Sequence, residues 1–450
     1  MYVILRFAQN DKKEVVMKTH LLTACVVAST LHLSAQPAAP LTLDDCLGFA
    51  TANHPALNAA QAGVAAASEA VGEARAPYYP QVDFSAGYHR FQKRAFLPSG
   101  LTLPGRTIPE LIGPLDDWNG GFLSRMTLYD FGERRAGLDA ARARQAGAEA
   151  DTAATRADLR LSVQTAFYAL AAAQDLQAVA EKNLTRTEGH HRLAQARRQA
   201  GAVPHADELR MQAEVASTQL QLLNAQSRVR VSLGQLNTAM GRPAETPLAI
   251  AAPVTVLPSP AGTDLAAAMQ RALANRPELK SGDKRTEAAR AAVTAARAAR
   301  APKLHADGSF GWNDTVWMPE TREWQAGLSV DLPIFDAGSR TSRVARSKAE
   351  AAREEASVEN RRLQIRQEVW AAASELDRAW SSIAANETSV RASEESLRVE
   401  RERYQTGAAV ITDLLDTQTA LTRAEASLAE ARWSYLAARA AFDRAVGAAP

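Results

Sequence analysis

The chain repeats itself. Ala52-Asn53-His54-Pro55-Ala56-Leu57 returns as Ala274-Asn275-Arg276-Pro277-Glu278-Leu279, and the offset that carries Pro55 to Pro277 also carries Pro80 to Pro302 and Tyr88 to Phe310. Farther on, Tyr129-Asp130-Phe131-Gly132 returns as Phe335-Asp336-Ala337-Gly338. That second offset is shorter, and it takes Gly201 to Gly407, Asp207 to Asp413 and Gly241 to Gly447. Duplication on this scale confines the fold to one built from two like halves. The change of offset places a longer loop in the first copy, within 91–120. The copies span 41–241 and 263–447, joined by a Pro-rich link over 242–262.

Each copy reads as helix, strand, strand, long helix, turn, helix. The strands are expected at about 81–90 and 119–129, and again at about 303–312 and 323–335. In the first, Val82, Phe84, Ala86 and Tyr88 alternate with Gln81, Asp83 and Ser85. Its partner sets Leu304, Ala306 and Phe310 against Lys303, His305 and Asp307. In the others, Phe122, Met126 and Leu128 match Leu328, Leu332 and Ile334 on one face, while Leu123, Arg125 and Thr127 match Ser329, Asp331 and Pro333 on the other. Alternation with charge on one side suits either a half-buried sheet or a barrel strand with lipid outside and water inside.

Gly132 to about Ala200, and Gly338 to Thr406, contain no proline. A helix of that length runs for about 100 Å. Val369, Leu376, Ile383, Val390, Leu397 and Tyr404 recur every seventh residue, as do Leu414, Leu421, Leu428, Tyr435 and Phe442. Copy one does the same with Val215, Leu222, Val229 and Leu236. Such a repeat packs helices against one another in coiled-coil fashion. The helices near 54–77 and 205–240 together match the length of the long one, so end to end they could form a second rod beside it.

Composition narrows the function. Net charge is +2 with 23% charged residues, which is no footprint for nucleic acid. Of two cysteines, Cys25 lies in a segment with the character of a secretory signal, expected over 1–35, where Met17-Lys18 precedes LLTACVVASTLHL and SAQPAAP. Residues 1–16 fit that pattern poorly, which favours Met17 as the start; Leu22-Thr23-Ala24-Cys25 resembles a lipoprotein cleavage box but lies too early for one, with apolar residues continuing after the cysteine. No later stretch reaches the ~20 apolar residues of a membrane helix. There is no phosphate loop, nucleophile elbow or Cys/His ligand set, so neither an enzyme nor a cofactor is expected.

An open sheet edge cannot face lipid, and four strands cannot close a barrel, since known barrels start at about eight. Strands in a membrane therefore require several chains to share one barrel: two copies would give eight strands and three would give twelve. At this point the paired N-x-P-x-L units, the F-D-x-G after the second strand and the G-x5-D at the turn, in this order and doubled, resemble the TolC-like outer-membrane efflux proteins. The resemblance covers about Leu41 to Gly447. It implies a mainly α fold with membrane β: a trimeric twelve-stranded barrel, four strands per chain, continued by a long α-helical coiled-coil barrel. It implies a place in the outer membrane of a Gram-negative-type bacterium, with a large periplasmic part. It also implies a periplasmic adaptor (membrane fusion) protein and an inner-membrane transporter of RND, ABC or MFS type as partners. Substrate would pass through the lumen unchanged. The alternative is a periplasmic coiled-coil adaptor or binding protein without a barrel, for which two full copies with paired strands are unusual.

The resemblance assigns the two helix–turn–helix corners, about 200–206 and 405–412, to a narrow periplasmic tip. By position, Asp413 and Asp416 would form carboxylate rings, Tyr404 would join the latch, and Asp207 is the copy-one counterpart of Asp413. Where a relative has a basic latch residue, this chain has Ala409. Thr412, Asp413 and Asp207 also sit where side chains cap helix starts. Gly201 and Gly407 would supply the left-handed residue that ends each long helix. Around them Ala202, Val203, Ala408 and Ala409 are small and apolar, suited to docking the adaptor. His190, His191 and His205 lie near one tip, but adjacent histidines on a helix point apart, so no metal site is expected.

Overall fold

The computed structural model describes residues 40–92, 95–96, 102–107, 111–112, 115–251, 257 and 264–448. The signal region over 1–35, with Met17 and Cys25, lies outside the described residues, as does most of 252–263 in the link. Leu41 and 249–251 belong to a small unit of their own, where Leu41 N donates to Ala249 O at 2.9 Å and Ala251 N to Leu41 O at 2.9 Å. Both copies make up the other unit.

The main elements of copy one are α1 (Leu43–Asn53), α2 (Pro55–Arg75), β1 (Gln81–Phe91), β2 (Leu115–Tyr129), α3 (Glu133–Gln199) and α4 (His205–Ala239), with four two-residue strands in the loop between β1 and β2. Copy two consists of α5 (Leu265–Asn275), α6 (Pro277–Ala298), β3 (Lys303–Asp314), β4 (Arg322–Asp331), α7 (Ser339–Thr406) and α8 (Ile411–Val446).

Local chemistry sets the boundaries. Thr42 and Asp45 form a capping box at α1, with Asp45 N donating to Thr42 Oγ1 at 3.2 Å and Thr42 N to Asp45 Oδ2 at 2.9 Å. His54 Nδ1 accepts from Ala56 N at 3.1 Å, and Pro55 opens α2 where its missing N–H costs nothing. Asp264 caps α5 where Thr42 caps α1. The D-x-G motif turns each second strand into its long helix. Asp130 accepts from Gly132 N and from both the backbone and Nε of Arg134. Asp336 repeats this with Gly338 N, Arg340 N and Arg340 Nη1.

The long helices α3 and α7 have 67 and 68 residues, about 100 Å each. Helices α2 and α4 both pack along α3, and α6 and α8 both pack along α7. The short helices meet end to end. A Cβ on Gly241, just past α4, would lie 3.0 Å from Pro55 Cδ at the start of α2. A Cβ on Gly447, just past α8, would lie 3.2 Å from Arg276 Cγ at the start of α6. Both glycines have positive φ, +79° and +69°, so turn geometry and close approach require glycine twice over. Helix α3 also packs on α6 and α8, which joins the copies.

The seven-residue seam is the core. Val369, Leu376, Leu397, Tyr404, Leu414, Leu421 and Tyr435 are all buried, with Ala424, Ala431, Ala438 and Ala445 between the helices. Full burial of one such large side chain contributes about 1.5–3 kcal/mol. In α4 the seam is thinner: Leu236 is buried, Val215, Leu222 and Val229 are half-buried, and Leu209, Leu220, Leu223 and Val231 are exposed.

The strands form one antiparallel sheet in the order β1-β2-β3-β4, with β1 and β4 at its edges. Phe84 opposes Phe122, Phe122 opposes Phe310, and Phe310 opposes Trp324. One face is therefore an apolar band, and the other carries Asp83, Arg125, Asp307, His305, Ser329 and Asp331. Two expectations are corrected. A bulge after Thr127 brings Tyr129, in place of Leu128, opposite Leu304. Strand β4 stops at Asp331 and does not reach 335, so Leu332 and Ile334 are not on its apolar face. Pro333 has no N–H to continue a ladder.

Candidate functional site: the two hairpin tips

Each tip is built the same way. Helix α3 ends with Gly201 at φ +68°, where Ala202 N donates to Arg197 O at 2.8 Å. Helix α7 ends with Gly407 at φ +83°, where Ala408 N donates to Arg403 O at 2.8 Å. These left-handed residues satisfy carbonyls that the helix leaves unpaired. Ala202 and Ala408 are exposed, while Val203 and Ala409 are half-buried.

The next helices start without side-chain caps. Pro204 and Val410 occupy the cap positions of α4 and α8, and neither helix has a side-chain cap bond. The capping expected of Thr412, Asp413 and Asp207 is thus absent. Asp207 and Asp413 stand at the third helical position, where a carboxylate favours the helix dipole without capping it. Asp207 is half-buried, 3.7 Å from Arg210. Asp413 and Asp416 are exposed and form no ion pair among the described residues.

Tyr404 is placed differently from a residue lining an opening. Its side chain is 1% exposed and packs with Met211, Leu397, Ile411 and Leu414. Arg197, from the last turn of α3, lies over the ring at 4.8 Å and donates from Nη1 to the Tyr404 carbonyl. Burial pushes the phenol pKa up, and the Arg197 charge opposes this only in part. Arg197 was not singled out in the sequence; nothing marks it among its arginine neighbours.

A polar layer interrupts the apolar seam above the tips. Gln418 Nε2 donates to Asn183 Oδ1 at 2.9 Å and to Thr187 Oγ1 at 2.6 Å, and Thr422 Oγ1 donates to Asn183 Oδ1 at 2.8 Å. Arg186 pairs with Glu425 beside it. Polar groups at a seam fix the register of neighbouring helices. The readable signal was Gln418 lying between Leu414 and Leu421. His190 is buried nearby, and its Nε2 has no hydrogen-bond partner among the described residues. Burial, and then the charges of Arg401 and Arg186, bring its pKa down to about 4. His205 instead faces Glu208 at the surface, 3.3 Å away. No group of three or more His, Cys, Asp or Glu residues placed to hold a metal occurs among the described residues.

On the polar face of the sheet, Arg125 Nε donates to Asp307 Oδ1 at 2.6 Å and His305 Nε2 lies 3.4 Å from Asp331. The chain thus combines a four-stranded sheet of two unlike faces with paired helical hairpins. The family model for outer membrane efflux proteins matches residues 47–242 and 268–448, one stretch in each copy.

The chain belongs to the outer membrane efflux protein family.

Protein CyaE of Bordetella pertussis is 30% identical over 385 residues, covering 84% of this chain and 78% of the relative. The pyoverdine export outer membrane protein OpmQ of Pseudomonas aeruginosa is 26% identical over 415 residues, covering 90% of this chain and 85% of the relative. The fold matches the outer-membrane channel OprN with a TM-score of 0.78 at 23% identity, over 90% of each chain. It also matches VceC of Vibrio cholerae with a TM-score of 0.77 at 20% identity, over 90% of this chain and 96% of that one. As a member of this family, the chain is an outer-membrane efflux protein. Its TolC-like fold is mostly helical, and its work is transport.

Proposed function

We propose that three copies close one twelve-stranded barrel in the outer membrane, continued by a helical tube that serves as an exit duct. The observation that carries this reading is the sheet. It is antiparallel, it has one apolar face, and among the described residues its edge strands, β1 and β4, each pair with a strand of this sheet on one side only. In lipid those edges need partners, and a neighbour's β4 against β1 supplies them without an edge left over. The exposed stripe on α4 (Leu220, Leu223, Val231) and the exposed Leu363 and Trp370 on α7 would meet in the same ring. An interface in which unlike faces meet closes into a ring when the rotation permits.

The tips form the entry end of the duct. Asp413 and Asp416, exposed and unpaired, stand as carboxylate rings at its constriction. Asp207 and Tyr404 brace that constriction from within each chain. The small residues Gly201, Ala202, Val203, Gly407, Ala408 and Ala409 form the surface that a periplasmic adaptor grips, in line with an inner-membrane transporter of RND, ABC or MFS type. The second reading, an adaptor without a barrel, finds no support in a family match that spans both copies. The test is electrical. Purified protein added to a planar lipid bilayer should open discrete ion-conducting pores; protein that inserts without conductance would contradict the duct.

A further inference from the structure

The apolar face of the sheet holds a cavity of about 700 Å³ at the end away from the helices. That volume lies within the ~300–1,000 Å³ usual for small-molecule sites. Phe84, Tyr88, Trp118 and Trp312 surround it, and Trp317 and Met318 from the β3–β4 turn form one wall. Trp317 meets Trp118 edge-on, with ring centres 4.5 Å apart, and Tyr88 lies 4.3 Å from Trp118. The hollow exists because the two residues at its floor are small. Ala86 and Gly120 oppose each other across β1 and β2. A Cβ on Gly120 would meet only Ala86 Cβ at 3.8 Å and Ser85 O at 4.0 Å.

Trp317 is 71% exposed and Met318 is 75% exposed. So much apolar surface around a hollow marks a binding place. The apolar band of Phe122, Phe310, Trp324 and Leu328 runs on from it. Charge appears where the band stops. Tyr88 Oη donates to Asp116 at 2.8 Å, and Arg90 pairs with the same carboxylate at 3.3 Å. Arg322 is in register with Trp312, exposed, and without an ion pair among the described residues. An apolar hollow with a guanidinium one strand away, in register with the lining Trp312, matches an acyl chain bearing an anionic head.

We infer that this cavity seats one acyl chain of an anionic, phosphate-bearing membrane lipid, with the lipid phosphate at Arg322. The inference rests on the reading that the apolar face meets lipid. Cargo in the lumen would contact the opposite face. A neighbouring chain pairs with the β1 edge, whereas the lining also comes from β2, β3 and the β3–β4 turn.

The test is native mass spectrometry of the full-length protein in detergent, with dioleoyl phosphatidylglycerol or dioleoyl phosphatidylcholine added. One phosphatidylglycerol per chain should be retained, in preference to phosphatidylcholine by about tenfold, the effect of one charge-assisted contact. Gly120→Leu should fill the hollow and remove the retained lipid. Arg322→Gln should keep lipid binding but equalise the two lipids. Retention by Gly120→Leu equal to that of the unaltered protein would overturn the proposal. Should that variant not fold, Trp317→Ala, outside the strands, must lower retention, and undiminished retention would overturn it equally. No headgroup preference in the unaltered protein would overturn the assignment to Arg322. Quenching of Trp324, outside the cavity, by brominated phospholipid in vesicles separates the two readings. Unquenched Trp324 means that the barrel reading fails. Quenched Trp324 with an unaffected Gly120→Leu variant means that only the lipid seat fails.

Discussion

Arg197 holds Tyr404 twice, with its guanidinium 4.8 Å over the ring and Nη1 on the carbonyl. The two residues close the long helices of different copies, so this contact ties one hairpin tip to the other within a single chain. It also places a basic group at the tip. A cation over a ring contributes about 0.5–2 kcal/mol, the upper part when desolvated. Arg197→Ala should therefore loosen the tip without unfolding the helices. Hydrogen exchange across 403–411 should speed up by about tenfold in the variant, a change of ~1.4 kcal/mol. Exchange that stays at the original rate would mean that apolar packing alone holds Tyr404.

Asp413 and Asp416 carry unpaired charge at the proposed constriction. Rings of carboxylates draw cations and repel anions. Asp413→Ala with Asp416→Ala should shift the reversal potential in a KCl gradient towards zero, with Asp207→Ala having the smaller effect because Arg210 already faces it. An unchanged reversal potential in the double variant would place the selectivity elsewhere, the acidic face of the sheet being the next candidate.

The start of α6 is held by charge. Arg276, 3% exposed, pairs with Glu278 and Glu368, and Arg444 also reaches Glu278. Burial pushes the Glu278 carboxyl up, but the hydrogen bonds from Arg276 and Arg444 outweigh it and hold the pKa at about 2. A carboxylate depressed in the folded chain stabilises it above the unfolded pKa, and that contribution is lost as pH falls from about 4.5 towards 2. Glu278→Gln should lower the midpoint of thermal unfolding at pH 7, by a loss of about 3 kcal/mol. It should also flatten the fall between pH 4.5 and 2, which scans at a fixed heating rate would reveal.

His190 works with the opposite charge. It is buried neutral, and burial with Arg401 and Arg186 brings its pKa to about 4. The unfolded chain takes up this proton from about pH 6.5 downwards while the folded chain resists it, so stability is present above 6.5 and is lost towards pH 4. His190→Leu should remove this part of the pH dependence in the same scans. A slope identical to that of the unaltered protein would assign it to other groups.

Much of the architecture was readable because it is written twice. Gly241 and Gly447 recur in matching places because the ends of α4 and α8 press on the turns that precede Pro55 and Pro277. The alternation in β1 and β3 was plain, but β4 was overextended. Leu332 and Ile334 continue the period by chance, and only Pro333 signals the stop. The bulge after Thr127 leaves no mark in residue type. At the tips, Tyr404, Asp413 and Asp416 were visible from position, whereas the burial of Tyr404 depends on Arg197, more than 200 residues away in sequence. The lipid-sized hollow depends on Ala86 and Gly120 facing each other, which needs the register of β1 on β2.

The central claim is that the sheet is one third of a shared barrel. The mass of the particle extracted in detergent from isolated outer membranes tests it most directly. The account predicts the mass of three chains. A single chain, stable and folded in detergent or in the soluble periplasmic fraction, would contradict it.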